Sequence, residues 1–160
     1  MKRLAIVTTH PIQYNAPLFK HLAKTGAVEL KVFYTWGKGV LEKKYDPGFK
    51  QEVKWDVPLL EGYDFEFAIN TSKSPGSHHF FGIKTPALIK QIEQFKPDAV
   101  LVYGWAYLSH LHVMRYFKGK VPVWFRGDST LLDETEGFSL KQVLKSWFLK
   151  FVYRFVDTAF

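Results

Sequence analysis

Apolar positions along this chain fall into two periods. From Leu4 to Val7 they run without a break, as in a strand buried on both faces. From Ala16 to Lys24, residues Leu18, Leu22 and Ala23 recur at helical spacing. Pro17 falls in the first turn, where no backbone donor is needed, and Gly26 supplies a stop. Asn15 is then the expected N-cap, its side-chain oxygen accepting from backbone N–H groups two or three residues on. Val28 to Tyr34 alternates and predicts a second strand. This β-α-β opening with short connections argues for a parallel sheet.

The pattern then loosens. Trp36 to Lys54, punctuated by Gly37, Gly39, Pro47 and Gly48, predicts a long loop. A short strand is expected over Lys54–Leu60, and an extended piece over Phe65–Ile69. Asn70 to Gly82 is polar and rich in Ser, Gly and His, a composition suited to a movable lid. Regular periods return with a helix from Thr85 to Phe95 and a strand over Ala99–Tyr103, led in by Lys96-Pro97-Asp98. A helix over Ala106–Phe117, a strand over Val121–Phe125 and a long helix from Ser139 to about Val156 follow. Asp157–Phe160 begins another strand. The order predicts an α/β fold: a Rossmann-like open, mostly parallel sheet with helices on both faces.

Composition narrows this picture. At 160 residues and 47% hydrophobic, the chain suits one domain with a proper core. With no cysteine, disulfides and thiolate zinc sites are excluded, and a cytoplasmic protein is expected. No secretory leader pattern and no bilayer-length apolar run is read. The net charge of +7 points to an anionic partner. The basic residues are dispersed and match no nucleic-acid-binding signature, so no nucleic-acid partner is expected. The Gly-x-Gly-x-x-Gly fingerprint, a Walker A loop and the Gly-x-Ser-x-Gly elbow are all absent.

Ligands of open α/β sheets bind at the carboxyl ends of strands, and a helix N-terminus there suits an anion. Three strand ends carry candidate groups. His10, Gln13 and Asn15 follow the first strand, with ordinary loop residues as the plainer alternative. Gly104 and Trp105 follow the fourth, with Tyr107, Ser109 and His110 beyond. Trp105 suits a sugar face, or packs on the sheet. Arg126, Gly127, Asp128 and Ser129 follow the fifth. Arg126 offers a fork for a phosphate or carboxylate. Asp128 suits orienting a hydroxyl, acting as a base, or capping a turn. The last two ends are expected to meet at one edge of the sheet. His78-His79 lack a third ligand at metal spacing, so no metal is expected. The last helix stripes Leu140, Val143, Leu144, Trp147, Phe148, Phe151 and Phe155 between Lys and Arg flanks. That describes either a core-facing helix with snorkelling edges or a basic aromatic surface for an anionic membrane.

Several stretches, in order, resemble the N-terminal part of bacterial family 4 glycosyltransferases of the GT-B fold. They are Thr9-His10-Pro11-Ile12-Gln13-Tyr14 with Pro17-Leu18-Phe19; Tyr45-Asp46-Pro47-Gly48-Phe49; and Trp55-Asp56-Val57-Pro58-Leu59-Leu60-Glu61-Gly62-Tyr63. Arg126-Gly127-Asp128-Ser129 and Tyr153-Arg154-Phe155-Val156-Asp157 complete the series. Two departures stand out. His10-Pro11-Ile12 replaces the glycine pair many relatives carry, and Arg126 stands where many place a His.

The resemblance implies an enzyme of two Rossmann-like domains that moves a sugar from a nucleotide-sugar to a polysaccharide or lipid-linked acceptor. It implies retention of configuration and no cofactor. Residues 1–160 then correspond to the acceptor-side N-terminal domain, incomplete at its C-terminal end. The donor-binding domain, with its Glu-x7-Glu segment, is expected beyond residue 160, and residues 1–160 alone are expected to be inactive. His10 is the catalytic candidate; Gln13, Asn15, Trp105, Arg126 and Asp128 are the substrate-binding ones. The rival expectation is a non-catalytic binding or membrane-anchoring subunit that recruits a separate donor-binding chain. In either case the chain is expected in the cytoplasm, at the inner face of the membrane if it docks there.

Overall fold

A computed structural model describes residues 1–36, 44–46, 51–53, 58–127 and 140–160. The main sheet uses β1 (Lys2–Thr8), β2 (Val28–Tyr34), β5 (Asp64–Phe67), β6 (Ala99–Tyr103), β7 (Val123–Arg126) and β8 (Thr158–Ala159). Their spatial order is β5-β2-β1-β6-β7-β8, and every pairing is parallel. Ranked by chain order within the sheet, this is 3-2-1-4-5-6, the doubly wound Rossmann-like arrangement. β3 (Lys44–Asp46) and β4 (Gln51–Val53) form a separate antiparallel ribbon. The expected long loop therefore contains a short hairpin, and its remainder lies outside the described residues.

The pleat sends alternate residues to two cores. On one face Leu4, Ile6, Leu30, Val32 and Tyr34 pack under α1 (Ala16–Thr25), chiefly through Phe19. On the other, Ala5, Val7, Phe33, Val100 and Val102 meet α2 (Leu88–Phe95), α3 (Leu108–Phe117) and α4 (Leu140–Tyr153). β1 and β6 are buried on both faces, which is why they read as unbroken apolar runs. No helix separates β2 from β5 among the described residues. There Leu59 and Tyr63 fill the α1-side core instead, and Tyr63 stands edge-on to Phe19 at 5.6 Å. Pro58 to Leu60 lie in a turn rather than a strand, and the earlier part of that expected strand is outside the described residues.

Two aspartates fix strand register. The Arg3 N–H donates to the Asp98 carboxylate at 2.8 Å, and the Asp98 N–H returns to the Arg3 carbonyl at 2.8 Å. Asp157 repeats the device on β7: the Val123 N–H reaches its carboxylate at 2.9 Å, and its own N–H donates to the Val123 carbonyl at 2.7 Å. Lys2 and Lys118 pair with these two carboxylates. Both carboxyl groups are held below their usual range, chiefly by the Arg3 backbone bond at Asp98 and the Lys118 ammonium at Asp157.

Asn15 does not cap α1. Its backbone is already helical, with φ −89° and ψ −37°, and its side chain makes no cap bond. The chain begins to coil earlier, where the N–H groups of Asn15 and Ala16 both donate to the Ile12 carbonyl, at 3.1 and 3.0 Å. Gly26 ends the helix at φ +65°, a conformation that suits glycine.

Candidate functional site

The strand order reverses between β1 and β6, and a crevice opens there at the carboxyl ends of the strands. A cleft of about 230 Å³ occupies this position. Thr8, Thr9, Ile12 and Asn15 line it from the β1 side, Tyr103 to Tyr107 from the β6 side, and Gly127 from β7. The three strand ends thus converge on one cavity. They do so in the middle of the sheet, not at an edge, because β1 inserts between β2 and β6.

The sequence-predicted residues divide. Asn15 lines the cleft, is only 3% exposed, and its side chain bonds to no described residue. Trp105 also lines it, and packs on Phe148 of α4 with centroids 5.4 Å apart. Trp105 therefore packs against α4 and also borders the cavity. Arg126 ends β7, half-buried, with its guanidinium carbon 5.2 Å above the Tyr103 ring. Its Nη1 lies 3.5 Å from the Tyr103 hydroxyl, and among the described residues no carboxylate pairs with it. His10 is half-buried in the loop behind Thr9, with Nδ1 3.0 Å from Thr9 Oγ1, and is not part of the lining. Gln13 is exposed on the turn before α1 and is also outside the lining. Asp128 lies outside the described residues.

The helix end contributes less than expected. The N–H groups of Asn15 and Ala16 are already taken by Ile12, and Pro17 has none. The polar reach into the cleft passes instead to the Asn15 amide and the Thr8 and Thr9 side; Arg126 is not part of the lining, but its neighbour Gly127 and the Tyr103 it stacks on are.

Ser109 and His110 are buried behind the lining and face away from it. Ser109 Oγ accepts from the Thr85 N–H at 2.8 Å and donates to the Ile83 carbonyl at 3.0 Å, tying α3 to the chain before α2. His110 Nδ1 donates to the Gly104 carbonyl at 3.1 Å. Gly104 turns out of β6 at φ +73° and donates its N–H to the Arg126 carbonyl at 2.9 Å. Burial holds the His110 imidazole down at about 4, against the opposing bond to Gly104. Tyr107 lines the cleft and its hydroxyl donates to the Ser77 carbonyl at 2.9 Å, which joins the 70–84 segment to the site. Burial raises that phenol.

Sequence reasoning missed Thr8, Thr9 and Tyr103. Each is the last or next-after-last residue of a strand, so strand ends alone would have marked them. Comparison with family models, with curated proteins and with solved structures gives no significant match for this chain.

Proposed function

We propose that this chain is the acceptor-side Rossmann-like part of a glycosyltransferase that uses a nucleotide-sugar donor. The observation that carries the reading is Arg126: a half-buried guanidinium that pairs with no carboxylate among the described residues, stacked on a tyrosine that lines the switch-point cleft. Asn15, whose side chain bonds to no described residue, lines the same cavity. Together they suit an anionic, polyoxygen ligand, since a fork of N–H donors recognises phosphate oxygens and an amide recognises hydroxyl or phosphoryl oxygen. Trp105 and Tyr107 add aromatic faces of the kind that pack on sugar rings. The ordered sequence resemblance to family 4 enzymes points the same way.

In this reading, negative charge grows on the departing diphosphate as the sugar–oxygen bond breaks, and a preplaced Arg126 stabilises it. The acceptor hydroxyl approaches from the Trp105 side. The nucleotide is gripped mainly by a second Rossmann-like unit, in the same polypeptide or in a separate chain.

The test is titration of the chain with nucleoside diphosphates, nucleosides and nucleotide-sugars, followed by tryptophan fluorescence. Saturable binding that requires the diphosphate and weakens in Arg126→Met supports the reading. Equal binding of the bare nucleoside, or diphosphate binding unaltered in Arg126→Met, overturns it. Sugar transfer by residues 1–160 alone overturns the two-unit arrangement.

A further inference from the structure

The sheet covers only part of the apolar stripe on α4. Val152 is buried and Phe148, Leu149 and Phe155 are half-buried, but Trp147 is 72% exposed and Phe151 is 42% exposed. Lys150, at i+3 from Trp147 on the helix, and Arg154, in the turn just after its end, are both exposed. The 70–84 segment abuts this helix, with Phe80 edge-on to Phe148 at 6.2 Å. It adds Phe81, 57% exposed, with the Lys84 ammonium 5.4 Å over its ring. Exposed large apolar groups that gather in this way mark an interaction surface rather than ordinary scatter.

Charge identifies the occupant. Among the described side chains of residues 70–84 and 146–154, Lys73, Lys84, Lys150 and Arg154 are exposed cations and none is Asp or Glu. Aromatic rings beside cations, with no carboxylate among them, suit the headgroup region of an anionic bilayer. There Trp rests its ring at the boundary and Lys and Arg meet phosphates. A nucleic acid would use the cations but give no reason to expose Trp147, Phe151 and Phe81 together. No helix among the described residues is long and apolar enough to cross a membrane, so contact would be interfacial.

We infer that the outer side of α4 and the Phe81 tip of the 70–84 segment form a docking surface for an anionic phospholipid membrane. This does not depend on the reading of the cleft. It does place the membrane beside it, because Phe148 under this surface also packs on Trp105.

The whole chain is tested for flotation with vesicles of phosphatidylcholine, alone or mixed with phosphatidylglycerol, at several salt concentrations. Binding is expected only with phosphatidylglycerol present, and falls as salt rises. Lys150→Ala combined with Arg154→Ala lowers affinity roughly 30-fold, at about 1 kcal/mol per cation. Brominated acyl chains quench tryptophan emission, and Trp147→Phe removes most of that quenching. Trp147→Ser weakens binding while the circular dichroism spectrum stays unchanged. Equal binding to neutral vesicles, no binding to either, or quenching unaffected by Trp147→Phe overturns the inference. So does binding of a DNA oligonucleotide as tight as that of the vesicles and indifferent to Trp147→Ser, which makes the surface a polyanion site. A dimer lost in Trp147→Ser, with no vesicle binding, makes it a self-association face.

Discussion

Thr35 Oγ1 lies 2.9 Å from His110 Nε2, in a buried layer behind the cleft. The pair connects three strand ends, because Thr35 follows β2, its N–H donates to the Thr8 carbonyl of β1 at 2.9 Å, and His110 holds Gly104 after β6. Proton accounting sets the direction of each bond. The Gly104 carbonyl only accepts, so Nδ1 carries the proton and Nε2 accepts from Thr35. The Thr35 hydroxyl, also 3.2 Å from the Thr8 carbonyl, has one proton and gives it to the histidine. Neutral His110 is therefore the form that the folded protein holds.

That bond network makes stability depend on pH in a defined window. The His110 imidazole falls from the usual 6.5 to about 4 on folding, mainly through burial. Its contacts come from Thr35, the Gly104 carbonyl, the Tyr103 backbone and the Tyr107 ring, none of them charged. Below pH 6.5 the unfolded chain takes up a proton that the folded chain refuses, so stability falls as pH drops from 6.5 to about 4 and levels off below. The loss is at most about 3 kcal/mol. Asp98 and Asp157 act lower still: their folded values are depressed, so their contribution is present above the usual carboxylate value and is lost as pH falls beneath it. Urea unfolding at a series of pH values checks this. His110→Gln should flatten the upper window and leave the acidic limb. An unchanged slope in that variant would count against the assignment.

How much of this could be read in advance depends on which residues carried the signal. β1 and β6 were legible because strands buried on both faces are apolar throughout, and the Lys96-Pro97-Asp98 lead-in marks the aspartate that fixes register. The cleft was legible as three strand ends, but its central position was not, since strand order depends on crossovers that no local pattern encodes. Asn15 does stand at the N-cap position, but its side chain makes no cap bond, because the Ile12 carbonyl starts the turn early and its backbone is already helical. The α4 stripe was visible as apolar, yet its period does not say that the sheet stops short of Trp147 and Phe151. Asn70 to Gly82 read as a polar loop; the side-chain bonds that organise it are specific pairings invisible to composition.

Asn15 separates a capping role from a ligand role. An N-cap lost to alanine costs about 1 kcal/mol. Here the side chain makes no cap bond and bonds to no described residue, so Asn15→Ala should leave the unfolding midpoint nearly unchanged. Binding of a nucleoside diphosphate should weaken about tenfold in the same variant, by loss of one hydrogen bond to a charged group. Denaturant titration and ligand titration on one preparation give both numbers. A destabilisation of the capping size with unaltered binding would reverse the assignment.

Asn70 is the clasp of the 70–84 segment. Its Nδ2 donates to the Gly82 carbonyl at 2.8 Å, and its Oδ1 accepts from the Ser72 and Lys84 N–H groups at 3.0 and 2.9 Å. Asn70→Ala removes all three bonds and should weaken the segment by about 2–3 kcal/mol. Amide exchange at Thr71 and Lys84, which meet across the clasp at 2.8 Å, should accelerate at least tenfold, with the sheet core unaffected. Asn70→Asp keeps the acceptor but turns a carboxylate toward the Gly82 carbonyl, so its effect should fall between. Unaltered exchange at both amides in Asn70→Ala would show that the segment is held elsewhere.

Arg126 gives the sharpest contrast between stability and binding. Its charge has no acidic partner among the described residues, and its contact is the face of Tyr103. Replacing it therefore breaks no ion pair, and Arg126→Met retains an apolar stem of similar length over the ring. Folding stability should move by no more than about 0.5–1 kcal/mol, the size of an exposed cation–π contact. Diphosphate binding should drop about tenfold or more, because a charged fork to phosphate oxygens contributes about 1.5–3 kcal/mol. Arg126→Lys keeps the charge but loses the planar stack and the second donor, so it should restore only part of the affinity. Full restoration by lysine would reduce the site to a point charge. A collapse of stability in Arg126→Met, with binding following it, would make the Tyr103 stack a structural strut and remove the guanidinium from the list of ligand-facing groups.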